Sequence, residues 1–282
     1  MSENILLIQQ YLWVWNIEWY EIISRWWDYE VIIYQWNVYR FPKPDRTLNM
    51  IKEKQKLDII APYITINIPH FTLVQGKFIT YPEIKGTTLD QIENWYNEET
   101  IATLVKFLKE LHSIPLHKFD FLNDKNSDQK EDHKWLLEFV VGLKNQLNQK
   151  LKWIVDNQTI NNLYYYMDEL FFNFTSPNQA YVHSDLQGKN IIINPDTKQI
   201  SWIIDFSDSR IGSAELDFCH FAFLPDNIIE RFIIAYLWKI DIEFLERVKF
   251  LAKRDIIFEI TDTAPPSDKY ILDKLALYWF IS

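Results

Sequence analysis

Residues 30–41 read Glu-Val-Ile-Ile-Tyr-Gln-Trp-Asn-Val-Tyr-Arg-Phe, a run dense in β-branched and aromatic side chains. That pattern predicts two strands turning near residues 35–37. Pro42 and Pro44 end the second strand, because proline has no N–H to give to a ladder. Asp45 is then placed to cap a helix running through Leu48, Ile51 and Glu53 toward Ile60. A further strand pair is expected across 63–68 and 76–79. After Gly86 the apolar period lengthens. Asn97 precedes a stretch with Ile101, Leu104, Val105, Leu108 and Leu111 on one helical face. Residues 135–147 and 244–251 are similarly amphipathic. Between them, 181–205 reads as strand, loop and strand, with a turn at Asn194-Pro195-Asp196. The expected architecture is α+β and bilobal. A small antiparallel-sheet lobe with one helix spans 1–80, a hinge 81–86, and a larger, mostly helical lobe 87–282.

Composition narrows the class. The chain has 282 residues, 48% hydrophobic and 24% charged, enough for a substantial buried core. No apolar stretch approaches the roughly 20 residues that span a bilayer, and Met1-Ser2-Glu3-Asn4 lacks a secretory n-region. The single cysteine, Cys219, excludes an intramolecular disulfide framework and suits a reducing compartment. A cytoplasmic protein is expected, without membrane attachment or an obligatory protein partner. The net charge of −10 argues against a nucleic-acid partner and would suit a cationic ligand. Six of the twelve tryptophans lie in the first 36 residues, and most are expected to pack in a β-rich core.

The segment Tyr181-Val-His183-Ser-Asp185-Leu-Gln-Gly-Lys-Asn190 is followed, twelve residues after Asn190, by Trp202-Ile-Ile-Asp205-Phe206. Phosphoryl transfer needs such a set. One carboxylate orients a hydroxyl and accepts its proton, while an amide oxygen and a second carboxylate hold magnesium on the phosphates. Alone, each residue is better read as a turn former or cap. Together, at this spacing and between apolar strands, they point to one site. His183 has no cysteine or histidine at zinc-ligand spacing, so a zinc site is discarded.

These residues resemble the catalytic loop of the aminoglycoside phosphotransferase and choline kinase superfamily, whose usual form is His-Gly-Asp-Leu-His-x-x-Asn. The run from Ile204-Asp205-Phe206 through Ile211-Gly212-Ser-Ala-Glu-Leu-Asp217 resembles the family's next block. The resemblance extends over about residues 20–260 and implies a protein-kinase-like fold. It makes Asp185 the catalytic base, Asn190 and Asp205 the magnesium ligands, His183 a scaffold and Asp217 a structural carboxylate. Val38-Tyr-Arg40-Phe resembles the family's third strand, so Arg40 is expected on the α/β-phosphates with Glu53 as its helix partner. Tyr81-Pro-Glu83-Ile84 resembles the hinge that reads the base of ATP or GTP. His112 is expected to pack or cap.

This chain departs from that pattern in three places. Residues 24–30, Ser-Arg-Trp-Trp-Asp-Tyr-Glu, stand where relatives carry small residues over the phosphates. Gln187 replaces the family's second histidine, and Ser213-Ala214 replace Asp-Pro. A protein kinase is disfavoured by Ser184 in place of arginine and by the short span from Asp205 to Asp217. A catalytically impaired nucleotide-binding relative has only the tryptophan-rich loop in its favour. The resemblance is nearest to the aminoglycoside 2''-phosphotransferase branch, which implies an aminoglycoside acceptor and a resistance role. Macrolides, choline-like amino alcohols and homoserine are the alternatives. For a polycationic acceptor the late helices offer Asp226, Glu230, Glu259 and Asp262.

Overall fold

The computed structural model describes residues 3–23, 29–43, 46–122, 129–261, 267–278 and 280. Helix α1 (Glu3–Leu12) leads into strands β1 (Glu21–Ile23), β2 (Tyr29–Tyr34) and β3 (Asn37–Pro42). Helix α2 (Thr47–Ile60) follows, then β4 (Thr72–Val74) and β5 (Phe78–Pro82). The strands form one antiparallel sheet in the order β1-β2-β3-β5-β4. The β2–β3 hairpin turns through Gln35 and Trp36, both at positive φ, which matches the twist of the flanking strands. Alternate side chains divide the sheet. Ile32, Tyr39, Phe41 and Phe78 pack with Ile5 and Ile8 of α1, whereas Val31, Val38 and Ile79 join Met50, Leu57 and Ile60 of α2 in the main core.

The larger lobe begins with β6 (Thr87–Thr88) and contains α3 (Glu98–His112), α4 (Gln129–Leu151), α5 (Asn157–Asp168), β7 (Gln179–Val182), β8 (Ile191–Ile193), β9 (Ile200–Ile203) and β10 (Arg210–Ser213). Helices α6 (Asp226–Leu237), α7 (Ile242–Ala252), α8 (Arg254–Thr261) and α9 (Asp268–Leu277) complete it. Asn97 caps α3 as expected, its side chain accepting from the Thr100 amide at 3.0 Å. The fold is α+β, bilobal and protein-kinase-like. The main core continues from the small lobe through α3, β7, β8 and α6, and a second core joins α4, α5, α8 and α9.

Several expectations are corrected. Residues 63–68 form no strand. A short 3-10 turn covers Ala61–Tyr63, β5 pairs with β4 instead, and Asn67 bridges to Trp202. Pro62 and Pro69 bracket that stretch and leave little room for a continuous ladder. Helix α2 starts at Thr47 after Arg46, which makes no side-chain cap; Asp45 lies outside the described residues. The tryptophans are largely outside the core. Trp13, Trp15, Trp19, Trp36, Trp153 and Trp238 are all exposed; in the small lobe α1 and the rings of Tyr39, Phe41 and Phe78 fill one face of the sheet, and in the larger lobe Trp153 and Trp238 stand just past the ends of α4 and α6.

Two features hold the segment 183–190 in place. Gly86, at φ +153°, lets the chain pass close to β8, where a Cβ would lie 2.3 Å from Ile192 Cγ2. The second is Asp217, fully buried. Its Oδ2 accepts from the His183 amide at 2.9 Å, its Oδ1 from the Ser184 amide at 2.7 Å, and His112 Nε2 lies 2.9 Å from Oδ2. Burial alone would raise the Asp217 carboxyl. The His112 hydrogen bond, the neighbouring imidazoles and the backbone donor outweigh it and hold the carboxyl below its ordinary value.

A depressed carboxylate contributes stability above its unfolded pKa and loses it as pH falls through the folded one. Asp217→Ala strands three donors in the interior and should cost about 3–5 kcal/mol in urea unfolding. In Asp217→Asn, the part of the wild-type stability loss below about pH 4 that comes from this carboxyl should disappear.

Candidate active site

The loop between β7 and β8 brings Asp185 and Asn190 together. Asn190 Nδ2 donates to Asp185 Oδ2 at 2.9 Å and to the Asp185 carbonyl at 2.8 Å. That orientation leaves the Asn190 amide oxygen turned away from Asp185. Gln187 Nε2 donates to Asp185 Oδ1, and Lys189 Nζ lies 4.0 Å from Oδ2. Beneath them His183 is fully buried, its Nε2 at 3.0 Å from the Ile204 carbonyl and its Nδ1 accepting from the Asp185 amide at 3.3 Å. This pattern assigns the proton to Nε2. Ser184 takes φ +69°, a left-handed conformation that costs an L-residue free energy and is held here by its bond to Asp217.

Asp205 joins this group from the end of β9. The Ile204 amide donates to the Asn190 carbonyl at 2.9 Å, which fixes the distance between the two segments. Asp205 itself sits at φ +65°, with Ser207 Oγ donating to its Oδ1 at 2.8 Å and Oδ2 left for another partner. An amide oxygen and a carboxylate oxygen are hard donors of the kind that suit a cation completing its shell with phosphate oxygens and water. Among the described residues no group of three or more His, Cys, Asp or Glu is set to hold a metal.

In the small lobe, Arg40 and Glu53 form a bidentate pair, Nη1–Oε1 at 3.2 Å and Nη2–Oε2 at 3.3 Å, both side chains buried. Tyr29 Oη donates to Glu53 Oε2 at 3.3 Å, and the Arg40 guanidinium lies 4.0 Å from the Tyr29 ring centre. Burial pushes the Glu53 carboxyl up and Arg40 opposes it; burial lowers Arg40 and Glu53 more than restores it. The fork geometry gives each charge two charge-assisted hydrogen bonds to set against its burial. Tyr81 packs on Phe71 with ring centres 4.9 Å apart. The Glu83 amide donates to the Trp36 carbonyl at 2.7 Å, so of the hinge groups it is already committed, whereas the Ile84 amide has no partner among the described residues. A cavity of ≈ 640 Å³ opens at this end, lined by Glu83, Trp36, Ile33 and Trp19.

The carboxylates expected for an acceptor are placed differently from the catalytic loop. Glu230 lies on α6 and Glu259 on α8, where it accepts from Tyr270 Oη at 3.0 Å. Asp262 lies outside the described residues. Three residues that the sequence did not single out interact with Asp185 or with its partner. His220 Nε2 lies 3.7 Å from Asp185 Oδ1, and its Nδ1 lies 3.5 Å from Asp255 Oδ2. Burial pushes the His220 imidazole down, against the pull of Asp255 and Asp185. Its only sequence signal was a histidine three residues past Asp217, indistinguishable from a packed one. Asp208, raised by burial and by the charges of Asp185 and Asp205, is the other carboxylate at this centre.

Known structures share this fold. A GDP complex of an aminoglycoside 2'-phosphotransferase superposes with a TM-score of 0.70 at 17% identity, covering 99% of this chain and 98% of that one. The GDP and kanamycin complex of an APH(2'') enzyme gives 0.71 at 19%, covering 98% and 96%. A macrolide 2'-phosphotransferase from Brachybacterium faecium gives 0.67 at 12%, covering 99% and 98%. At these identities the likeness is one of fold. No curated protein sequence matches the chain. Residues 41–249 match the model of the phosphotransferase enzyme family, and with three-quarters of its length so matched the chain belongs to that family.

Proposed function

We propose that the chain transfers the γ-phosphate of ATP or GTP to a hydroxyl of a small cationic acceptor of the aminoglycoside class. The observation that carries the chemistry is the contact of the Asp185 carboxylate with the Asn190 amide at 2.9 Å, with Asp205 tied to the same loop through Ile204. Asp185 orients the acceptor hydroxyl and takes its proton as the new bond to phosphorus forms. Gln187 and Asn190 donate to the two oxygens of this carboxylate and hold it in one rotamer, so its free lone pairs face a fixed direction. Asn190 Oδ1 and Asp205 would hold Mg²⁺, which when bound neutralises charge on the phosphate oxygens. The Arg40–Glu53 pair sets the depth of the phosphate tail, and the Ile84 amide is the hinge donor open to a nucleobase edge.

The acceptor class rests on charge and on relatives. Asp185, Asp208 and Asp255 put several carboxylates around one point in a chain of net charge −10. Among the structural relatives, APH(2'') enzymes are described in complexes with kanamycin and gentamicin. Macrolide phosphotransferases share the fold equally well, so a macrolide is the competing acceptor.

Three outcomes test this. Asp185→Asn should lower kcat by about 10²–10⁴-fold with nucleotide affinity nearly unchanged; near wild-type turnover would remove Asp185 from the mechanism. Asp205→Ala should lose magnesium-dependent nucleotide binding along with turnover, read by titration calorimetry with and without the metal. With a polycationic acceptor, its Michaelis constant should rise between low and near-physiological salt, where the Debye length shrinks to about 8 Å. Phosphorylation of a macrolide but of no aminoglycoside in a broad panel would replace the acceptor while leaving the transfer chemistry standing.

A further inference from the structure

A second cavity, of ≈ 330 Å³, lies between the first turns of α2 and the loop that follows Asp205. Its wall carries four cationic side chains, Arg46, Lys52, Lys56 and Arg210, against one carboxylate, Asp208. That is a local excess of positive charge in a chain whose net charge is −10. Asn49 and Ser207 add neutral polar groups to the same wall. We infer that this cavity is an oxyanion site, which takes a phosphate or a similar multiply charged oxyanion beside the reacting centre.

The arrangement of the cations supports this. Lys56 is buried, with its ammonium donating to the Ser207 carbonyl at 2.8 Å, a neutral acceptor that leaves its charge only partly compensated. Lys52 and Arg210 form no salt bridge among the described residues. Burial pushes Lys56 down; the charges of Glu53 and Asp208 offset part of this, and those of Lys52 and Arg210 add to it, so these three cations repel one another across the cavity. An anion at their centre would reverse the sign of that interaction for each of them. Guanidinium and ammonium groups with a serine and an asparagine are the donor set that tetrahedral oxyanions take elsewhere.

Its position links it to catalysis. Lys56 holds the Ser207 carbonyl, and the Ser207 hydroxyl holds Asp205 Oδ1 at 2.8 Å. Tyr29 forms part of the cavity wall and covers Arg40 on its other side. The cavity is therefore separate from the buried Arg40–Glu53 pair but two hydrogen bonds from Asp205. The anion could be the terminal part of the donor's phosphate chain or an acidic group carried by another molecule; the chemistry recognised is the same.

The site does not depend on the acceptor proposed above, and it can be tested without turnover. Tripolyphosphate and inorganic phosphate are titrated calorimetrically into magnesium-free wild-type protein and into Lys52→Gln/Arg210→Gln, with urea unfolding as the check that the double variant is folded. Wild type should bind tripolyphosphate saturably, and the variant should bind it at least about ten-fold more weakly. Absence of saturable binding by wild type, or equal binding by a folded double variant, overturns the inference. If the double variant does not fold, the single Lys52→Gln, at a half-buried position, is read the same way. A parallel rise in the Michaelis constant for ATP assigns the site to the donor's phosphates. An unchanged constant, with tripolyphosphate binding lost, assigns it to a separate anionic group.

Discussion

Asp217 is the point on which the catalytic loop turns. A carboxylate with no solvent exposure takes the amides of His183 and Ser184 and faces His112, itself 2.7 Å from Tyr236 Oη. Without those acceptors, Ser184 would have no reason to stay at positive φ, and Asp185 would not project toward Asn190. The same carboxylate ties α3, the 183–190 loop and the segment before α6 into one body. The cost of burying a charge is met by donors that are themselves fixed by the fold. Loop geometry at this site is therefore a property of the core beneath it rather than of the loop's own residues.

The small lobe uses the same device once more. Arg40 on β3 and Glu53 on α2 are both withdrawn from water and paired in a fork, under the Tyr29 and Phe71 rings. Sheet and helix are thereby registered to each other by charge as well as by the Met50 and Leu57 contacts. Lys56, one turn further along α2, reaches across to the Ser207 carbonyl in the other lobe. Helix α2 thus connects Arg40 in the small lobe with Ser207 in the large one, and small rotations of it would be felt at Asp205.

Much of this was legible in the sequence, and the reasons differ by element. The β2–β3 hairpin and α3 carry strong periodicity with local stop signals, Pro42 and Asn97, so local physics decided them. That Asp185, Asn190 and the segment of Asp205 come together was legible because the proposed chemistry demands a fixed spacing. The segment 63–68 misled because its alternating Ile64, Ile66 and Ile68 satisfy a strand pattern, while the ladder to β5 went to Thr72–Val74. The tryptophans misled for the opposite reason. Hydrophobicity says that a ring gains by burial, but only the assembled fold shows that α1 has already taken the sheet face in the small lobe and that Trp153 and Trp238 fall just past helix ends. His220 and Asp255 meet across 35 residues of sequence, and no local pattern records such a pair.

The exposed tryptophans also bear on how the molecule can be observed. Six of the eight indoles among the described residues face solvent in the native state, and Trp36, Trp153 and Trp238 each carry a lysine ammonium over the ring. The emission of these six already reports a wet, polarisable surrounding that changes little on unfolding. Trp95 and Trp202 are half-buried, the first edge-on to Phe221 and the second on β9 beside Asp205. A signal from the sheet that carries Asp205 would come from Trp202 in a variant that keeps it as the single indole, the other eleven being replaced by phenylalanine.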